Sequence, residues 1–307
     1  MDRLASKDVL RADQFSVDEI HLILHTAERY EGALDAGKPL DDLRGKLLAT
    51  LFFEPSTRTR LSFETAMHRL GGQVISVAEA RSSSAAKGET LHDTIKTVEG
   101  YADAIVLRHP QVGAAEEAAR ATDVPILNAG DGAGQHPTQS LLDLYTIVKE
   151  QGRVDGLTIA LAGDLKNGRT VHSLADLLAN YDVEFVFVSP DALRMPGEIV
   201  ERLRAGGISI RETESLADTI PACNVLYMTR IQRERFDDPS DYDRLKDAYV
   251  LTRDMLSVAK ESITVMHPLP RVNEIAPDVD DHPGAAYFRQ AAHGVPIRMA
   301  LLAMVIR

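Results

Sequence analysis

The sequence predicts an α/β protein of two doubly wound parallel-sheet domains joined by linking helices. Three observations carry that expectation. Apolar runs of strand length alternate with helix-length segments along the whole chain, which is the pattern of βα units and parallel sheets. The chain has 307 residues, and at roughly 100–200 residues per domain two domains are natural. No internal repeat of roughly 20–50 residues stands out, so the second half repeats the rhythm of the first without repeating its sequence.

Taken in order, the first element is a helix opened by the capping box Ser16-Val17-Asp18-Glu19 and running to about Gly37. Residues 47–53 form an apolar run of strand length, and a helix is expected over 57–70 with Gly71-Gly72 as its stop. Strands follow at 73–77, 104–107 and 125–127, with Thr90-Leu91-His92-Asp93 read as a second capping box. In the second half, 157–162, 184–188, 208–211, 225–228 and 263–266 read as strands, with helices over 170–180, 196–205 and 283–305. The organisation expected is a first domain over 1–136, a linking helix over 137–150, a second domain over 151–285 and a C-terminal helix over 286–307. The periodicity of that last helix suits either domain; it is assigned to the first.

Composition narrows the class. Hydrophobic residues make up 44% and charged residues 26%, which excludes disordered and collagen-like chains. No apolar run reaches the roughly 18 residues of a membrane span, and Met1-Asp2-Arg3-Leu4 has no signal-peptide core. The one cysteine, Cys223, cannot form an intramolecular disulfide, and a cytoplasmic protein without a membrane partner is expected. With 34 basic and 46 acidic residues the net charge is -12, opposite in sign to a generic nucleic-acid binder. The 25 Arg against 9 Lys, and 27 Asp against 19 Glu, fit a GC-rich genome or a salty cytoplasm as well as ordinary solubility.

The sharpest local feature is Phe52-Phe53-Glu54-Pro55-Ser56-Thr57-Arg58-Thr59-Arg60. A strand ends, Pro55 turns the chain, and hydroxyl and guanidinium residues open a helix whose N-terminus presents free amides and the positive end of its dipole. That is an anion site, with phosphate the usual occupant. Capping alone needs one hydroxyl, not three with two arginines. Ser82-Ser83-Ser84-Ala85-Ala86-Lys87 is a small polar loop, read either as a surface connection or as a functional loop. Arg108 stands at the carboxyl end of a strand, where open parallel sheets bind ligands. His136 follows the glycine-rich Gly130-Asp131-Gly132-Ala133-Gly134, whose glycines permit close backbone approach, and Gln139 lies one turn into the next helix.

Gly163-Asp164-Leu165-Lys166-Asn167-Gly168-Arg169-Thr170 nearly fits a Walker A loop, but Arg169 stands where that loop needs Lys. Arg169 still sits at a helix N-terminus, placed for a carboxylate or phosphate. Thr229-Arg230-Ile231-Gln232 and His267-Pro268-Leu269-Pro270 follow two further strands, the second stiffened by its prolines and able to offer carbonyl oxygens at set positions. No paired-cysteine or His-Glu-x-x-His metal motif, no Gly-x-Ser-x-Gly elbow and no dinucleotide fingerprint occurs.

The segment from Phe53 to Arg60 together with Gln135-His136-Pro137-Thr138-Gln139 resembles the signature of the aspartate/ornithine carbamoyltransferases, and the resemblance extends over nearly the whole chain. Ornithine members typically carry a Ser-Met-Gly loop and a His-Cys-Leu-Pro motif where this chain has Thr229-Arg230-Ile231-Gln232 and His267-Pro268-Leu269-Pro270. A guanidinium suits aspartate's side-chain carboxylate and would repel ornithine's ammonium. The resemblance therefore implies carbamoyl transfer from carbamoyl phosphate to the α-amino group of L-aspartate, an early step of pyrimidine biosynthesis, with no cofactor and no metal. It further implies that Ser56, Thr57, Arg58, Thr59 and Arg108 hold the phosphate. Thr59, Arg108 and His136 would meet the carbamoyl oxygen, and Gln139 with the carbonyls of Leu269 and Pro270 the carbamoyl amino group. Lys87, Arg169, Arg230 and Gln232 would hold aspartate, and Arg58, Thr59, Lys87, Arg108 and His136 form the implied catalytic set.

Ser83 and Lys87 match loop residues that the family inserts into the neighbouring subunit's site, which implies a homotrimer with shared sites and a hinge closure of the domains. The family loop often has two lysines in a row, whereas here Ala86 precedes Lys87. Some family trimers work alone and others join zinc-containing regulatory subunits. The alternatives kept are an ornithine or related carbamoyltransferase, a non-catalytic ligand-binding protein on the same fold, and a P-loop-type nucleotide hydrolase.

Overall fold

Ser16 does what its spacing requires. Its hydroxyl accepts from the Glu19 amide at 3.2 Å while the Glu19 carboxylate accepts from the Ser16 amide at 3.0 Å. Helix α1 (Val17–Asp35) starts there, and Gly37, at φ +63°, lies just beyond its end. In the computed structural model, which describes residues 3–79, 87–231, 238, 242, 245 and 248–306, the alternation of apolar runs and helices continues as expected. Strand β1 (Leu47–Phe52), helix α2 (Thr57–Arg69), β2 (Gln73–Val77), α3 (Leu91–Val98), β3 (Ala104–His109), α4 (Ala114–Ala121), β4 (Ile126–Asp131) and α5 (Pro137–Gln151) follow. Then come β5 (Leu157–Ala162), α6 (Arg169–Leu178), β6 (Val183–Val188), α7 (Gly197–Ala205), β7 (Ser209–Thr213), the short α8 (Leu216–Thr219), β8 (Val225–Met228), β9 (Thr264–Met266) and α9 (Tyr287–Val305).

The strands form two all-parallel sheets, ordered β2-β1-β3-β4 and β7-β6-β5-β8-β9. Central strands are buried on both faces, as parallel sheets covered by helices require. Strands β1, β3, β4 and β5 are almost wholly buried, whereas the edge strands β2 and β7 alternate towards solvent. Each sheet has its own core. One layer packs Ala49, Leu51, Ile105, Leu107 and Ile126 of the first sheet against Ile95 and Ala118. Another packs Val186, Val188, Leu226, Met228 and Val265 of the second against Leu216, Ile220 and Tyr287.

Two elements go beyond the sequence expectation. Helix α4 opens on Gly113, at φ +82°, whose amide donates to the Asp131 carboxylate at 2.8 Å, so it lacks the Ser/Thr/Asp cap that would have marked it. Helix α8 is a single turn capped by Ser215.

The chain divides into two compact units, Met1–Leu142 with His293–Arg307, and Asp143–Ala292. Both divisions fall inside helices, α5 and α9. Pro296, which has no amide to donate back to residue 292, lies inside α9 just past the second division. The end of α9 packs within the first unit. The Arg298 guanidinium lies 4.9 Å over the Phe63 ring of α2, its Nη2 donates to Thr138 of α5 at 3.4 Å, and His293 Nε2 is 3.6 Å from a carboxylate oxygen of Glu31 on α1. Among the described residues no helix is long and apolar enough to cross a membrane.

Candidate active site

In an open parallel sheet, neighbouring loops splay apart where the strand order reverses, and ligands settle at the carboxyl ends of those strands. In the first unit that reversal lies between β1 and β3. The loop after β1 carries Glu54 to Thr59, and Arg108, the penultimate residue of β3, is paired in register with Phe52. The Phe53 amide donates to the Arg108 carbonyl at 2.8 Å. Residues 55 and 56 positions apart in sequence thus become neighbours.

Ser56 is the N-cap residue of α2, yet its side chain makes no capping bond; its hydroxyl donates to Thr59 Oγ1 at 3.0 Å. The Ser56 hydroxyl therefore does not occupy the first amides of α2, which lie at the positive end of the helix dipole. Thr57 and Arg58 are exposed beside them, while Thr59 is buried. The last arginine of the run, Arg60, faces elsewhere, pairing with Glu64 at 3.3 Å.

Arg108 is buried, and its guanidinium is aimed by two bonds: Nη1 donates to the Ala129 carbonyl at 3.0 Å, and Nη2 pairs with Glu54 at 3.1 Å. Glu54 is the residue that motif reading passed over. A carboxylate beside an expected anion site looks out of place until its arginine partner is seen.

His136 is buried at the start of α5, with Gln139 half-buried one turn on. The loop leading to His136 is buckled by Asp131, whose carboxylate accepts from the amides of Gln135 at 2.7 Å and Gly113 at 2.8 Å and from the Asn128 side chain at 3.2 Å. The close backbone approach expected of its glycines is real but internal. A Cβ on Gly132 would stand 2.3 Å from the Pro110 carbonyl oxygen, and one on Gly134 would stand 2.9 Å from the Asp131 carboxylate.

In the second unit the strand order reverses between β5 and β8, and these two strands deliver Arg169 and Arg230. Arg169 is the first residue of α6, half-buried. Gly163, at φ +121°, brings the β5 loop so close to Thr229 that a Cβ would be 2.2 Å from its carbonyl oxygen. The Asp164 amide donates to Thr229 Oγ1 at 3.1 Å, and the Asp164 carboxylate accepts from the Asn167 amide at 3.0 Å. Gly168 packs on the Asp164 carbonyl. The glycines of the Walker-like stretch are thus spent on internal contacts rather than on a phosphate cradle.

Beyond β9, Leu269 has φ +53° and the Leu269-Pro270 peptide is cis. Behind this loop His267 is buried, with Nε2 2.6 Å from Glu274 and Nδ1 accepting from the Leu269 amide at 2.8 Å. Burial pushes the imidazole down, against the opposing pull of Glu274. Burial would raise the Glu274 carboxyl, but the bond from His267 and backbone donors, the Val272 amide among them, hold it below its ordinary value.

Lys87 is exposed ahead of Thr90, which caps α3 by accepting from the Asp93 amide at 3.1 Å. The expected site residues Ser83 and Gln232 lie outside the described residues. The geometry therefore gathers Ser56, Thr57, Arg58, Thr59, Arg108 and His136 along one sheet edge, and Arg169 with Arg230 along another. Both are cationic, and α2, α5 and α6 begin at these edges.

Comparison with known proteins agrees with these two halves. Residues 7–149 match the family model described as "Aspartate/ornithine carbamoyltransferase, carbamoyl-P binding domain", and residues 155–305 the one described as "Aspartate/ornithine carbamoyltransferase, Asp/Orn binding domain". The aspartate carbamoyltransferase catalytic subunit of Thermococcus onnurineus is 58% identical over 300 residues, covering 98% of this chain and 97% of its own. The solved catalytic subunit of M. jannaschii aspartate transcarbamoylase is 53% identical with a TM-score of 0.92, covering 98% of each chain. Aspartate transcarbamoylase from Trypanosoma cruzi, solved with carbamoyl aspartate and phosphate, is 45% identical with a TM-score of 0.93, covering 98% of this chain and 96% of that one.

Proposed function

The chain belongs to the aspartate/ornithine carbamoyltransferase family, and from that premise we propose that it transfers the carbamoyl group of carbamoyl phosphate to the α-amino group of L-aspartate, giving N-carbamoyl-L-aspartate and phosphate. The observation that carries this reading is the pair of cationic sheet edges, each at a reversal of strand order and each beside a helix N-terminus. Both substrates are anions, and such edges hold anions.

In this reading Ser56, Thr57, Arg58 and Thr59 with the first amides of α2 hold the phosphate of carbamoyl phosphate, and Arg108 reaches the same group. Arg169, Arg230 and Gln232 hold the two carboxylates of aspartate, joined by Lys87. The neutral α-amino group attacks the carbamoyl carbon and a tetrahedral oxyanion forms. Thr59, Arg108 and His136 stabilise it as an oxyanion hole, a device in which one lost donor costs about 10²–10³ in rate. Gln139 and the carbonyls of Leu269 and Pro270 accept from the carbamoyl amino group. Collapse expels phosphate, which takes up the amine proton. Holding two anions in reactive geometry accounts for much of the acceleration.

Ser83 and Lys87 are assigned to the site of a neighbouring copy in a homotrimer. Exposed Lys87 supports this assignment, as do the apolar Leu61 and Ile75, 48% and 39% exposed on α2 and the edge strand β2, a surface suited to a partner copy. Mixing Arg58→Ala with Lys87→Ala trimers under exchange conditions should restore some activity. Sedimentation reads the trimer and any zinc-containing regulatory subunits bound to it. The cytoplasm is the compartment in which we expect it.

The deciding assay offers carbamoyl phosphate with L-aspartate and, separately, with ornithine. Carbamoyl aspartate with no citrulline is the expected result. Citrulline formation would move the chain to the ornithine side of the family, because Arg230 is the residue on which the acceptor assignment turns.

A further inference from the structure

A line of buried polar side chains in the second unit runs behind the 267–270 loop. Tyr227 donates to one oxygen of Asp143 at 2.8 Å, and the Gln290 side-chain amide donates to the other at 2.6 Å. Gln290 Oε1 in turn accepts from the backbone amide of His267 at 2.8 Å. His267 is then gripped through its ring on two sides, by Glu274 at Nε2 and by the Leu269 amide at Nδ1. Tyr227, Asp143, Gln290, His267 and Glu274 are each no more than 4% exposed.

The bonds define the tautomer. A backbone N–H can be accepted only by a bare ring nitrogen, so Nδ1 carries no proton and Nε2 donates to Glu274. The neutral ring agrees with the downward push of burial on its pKa.

Leu269 is the non-glycine residue with positive φ among the described residues. The left-handed region disfavours a leucine, because its Cβ crowds the following carbonyl oxygen, so something outside the residue must hold it there. The bond from its amide back to His267, two residues earlier, is the one that bears on φ directly. Were 269 to relax to an extended or right-handed conformation, its peptide carbonyl would swing away.

We propose that His267, anchored by Gln290 and Glu274, is a positioning residue that holds Leu269 in its left-handed conformation. In this role it makes the carbonyls of Leu269 and Pro270 select an acyl phosphate bearing an –NH₂ group. This rests on the reading above that those two carbonyls accept from the carbamoyl amino group. A carbonyl pair that faces an amino group is satisfied; facing a methyl group it is left without donors, and such sites discriminate strongly. Acetyl phosphate replaces the –NH₂ by a methyl of similar size and is therefore the probe.

The experiment measures kcat/KM of the full-length enzyme with carbamoyl phosphate and with acetyl phosphate, aspartate being saturating and released phosphate the readout. Wild type should prefer carbamoyl phosphate by more than about 10²-fold. His267→Leu, which removes the acceptor while keeping bulk, should lower that preference by about ten-fold or more. His267→Asn, whose Oδ1 stands where Nδ1 was, should restore it to within about three-fold.

A wild-type enzyme without preference would overturn the carbonyl assignment and the proposal with it. A preferring wild type whose His267→Leu variant loses rate equally on both substrates would overturn the positioning role alone. A measurement on the wild-type enzyme covers a variant that fails to fold. ¹⁵N NMR of His267 at neutral pH should show the Nε2–H tautomer, and an Nδ1–H ring would refute the brace.

Discussion

Replacing Arg108 by Met separates what this side chain does for the fold from what it does for the reaction. Met keeps most of the buried volume among Ile105, Val106 and Leu107 on β3, all 0% exposed, so packing changes little. The substitution strips the Ala129 carbonyl of the 3.0 Å bond from Nη1. Ala129 is 0% exposed, and a buried acceptor left unsatisfied costs about 1–3 kcal/mol. It also frees Glu54 from its 3.1 Å partner; that side chain is 29% exposed, so water replaces much of the pair at a cost of about 1 kcal/mol or less. The sum, about 1–4 kcal/mol, lowers Tm by about 2–16 °C for a unit of this size. Scanning calorimetry checks that figure and identifies a temperature at which the variant is folded. At that temperature, phosphate release from carbamoyl phosphate and aspartate should fall by about 10²–10³, the cost of one oxyanion donor. A folded variant with kcat/KM within about ten-fold of wild type would refute the reasoning, leaving Arg108 a strand-end brace for Glu54 and Ala129.

Three further outcomes follow from the same geometry. Ser56→Ala should leave thermal stability within about 0.5 kcal/mol, where a capping serine would cost about 1 kcal/mol, because its hydroxyl bonds Thr59 rather than a helix amide; KM for carbamoyl phosphate should rise, and a marked drop in Tm would show a capping role instead. Gly163→Ala places a Cβ 2.2 Å from the Thr229 carbonyl oxygen at a φ of +121° and should cost more than about 3 kcal/mol in calorimetry; a melt near wild type would mean that the β5 and β8 loops do not meet this closely. Asp280→Asn tests a charge pair: hydrogen bonding from Arg271, against a smaller opposing effect of burial and aided by Tyr287, holds the Asp280 carboxyl below its ordinary value. A depressed folded pKa stabilises above the unfolded value of about 3.9 and loses that stabilisation as pH falls through the folded pKa. Wild type should therefore exceed Asp280→Asn by on the order of 1 kcal/mol at neutral pH, with the gap closing in strong acid, and a pH-independent gap would contradict the ion pair.

Much of this protein was legible in one dimension because the signals are local. The two capping sequences at Ser16 and Thr90, the glycine stop at Gly71 and the apolar runs of β1, β3, β5 and β8 depend on neighbours within one turn or one strand, and periodicity reports them directly. The expectation of an anion site at 56–59 is equally local, since a helix N-terminus and its hydroxyls are consecutive residues. Helix α4 escaped because its cap is a glycine amide held by Asp131, 18 residues further on.

Which polar residues serve each other emerges only on folding, because that depends on partners far apart in the chain. Arg60 reads as part of the cationic motif, yet on folding it pairs with Glu64. Glu54, passed over in the motif, pairs with Arg108, 54 residues away. Gly132 reads as a ligand-approach position but accommodates the Pro110 carbonyl, as Gly163 and Gly168 accommodate those of Thr229 and Asp164. His267 reads as one end of a proline-rich loop; only folding brings it Glu274, Gln290 and a bare nitrogen for the Leu269 amide. The fold class and the family were legible in consecutive residues, as was the expectation of an anion site at 56–59. The assignment of each buried charge and carbonyl to its partner came only with the sheets, because strand order, not chain order, sets which residues meet.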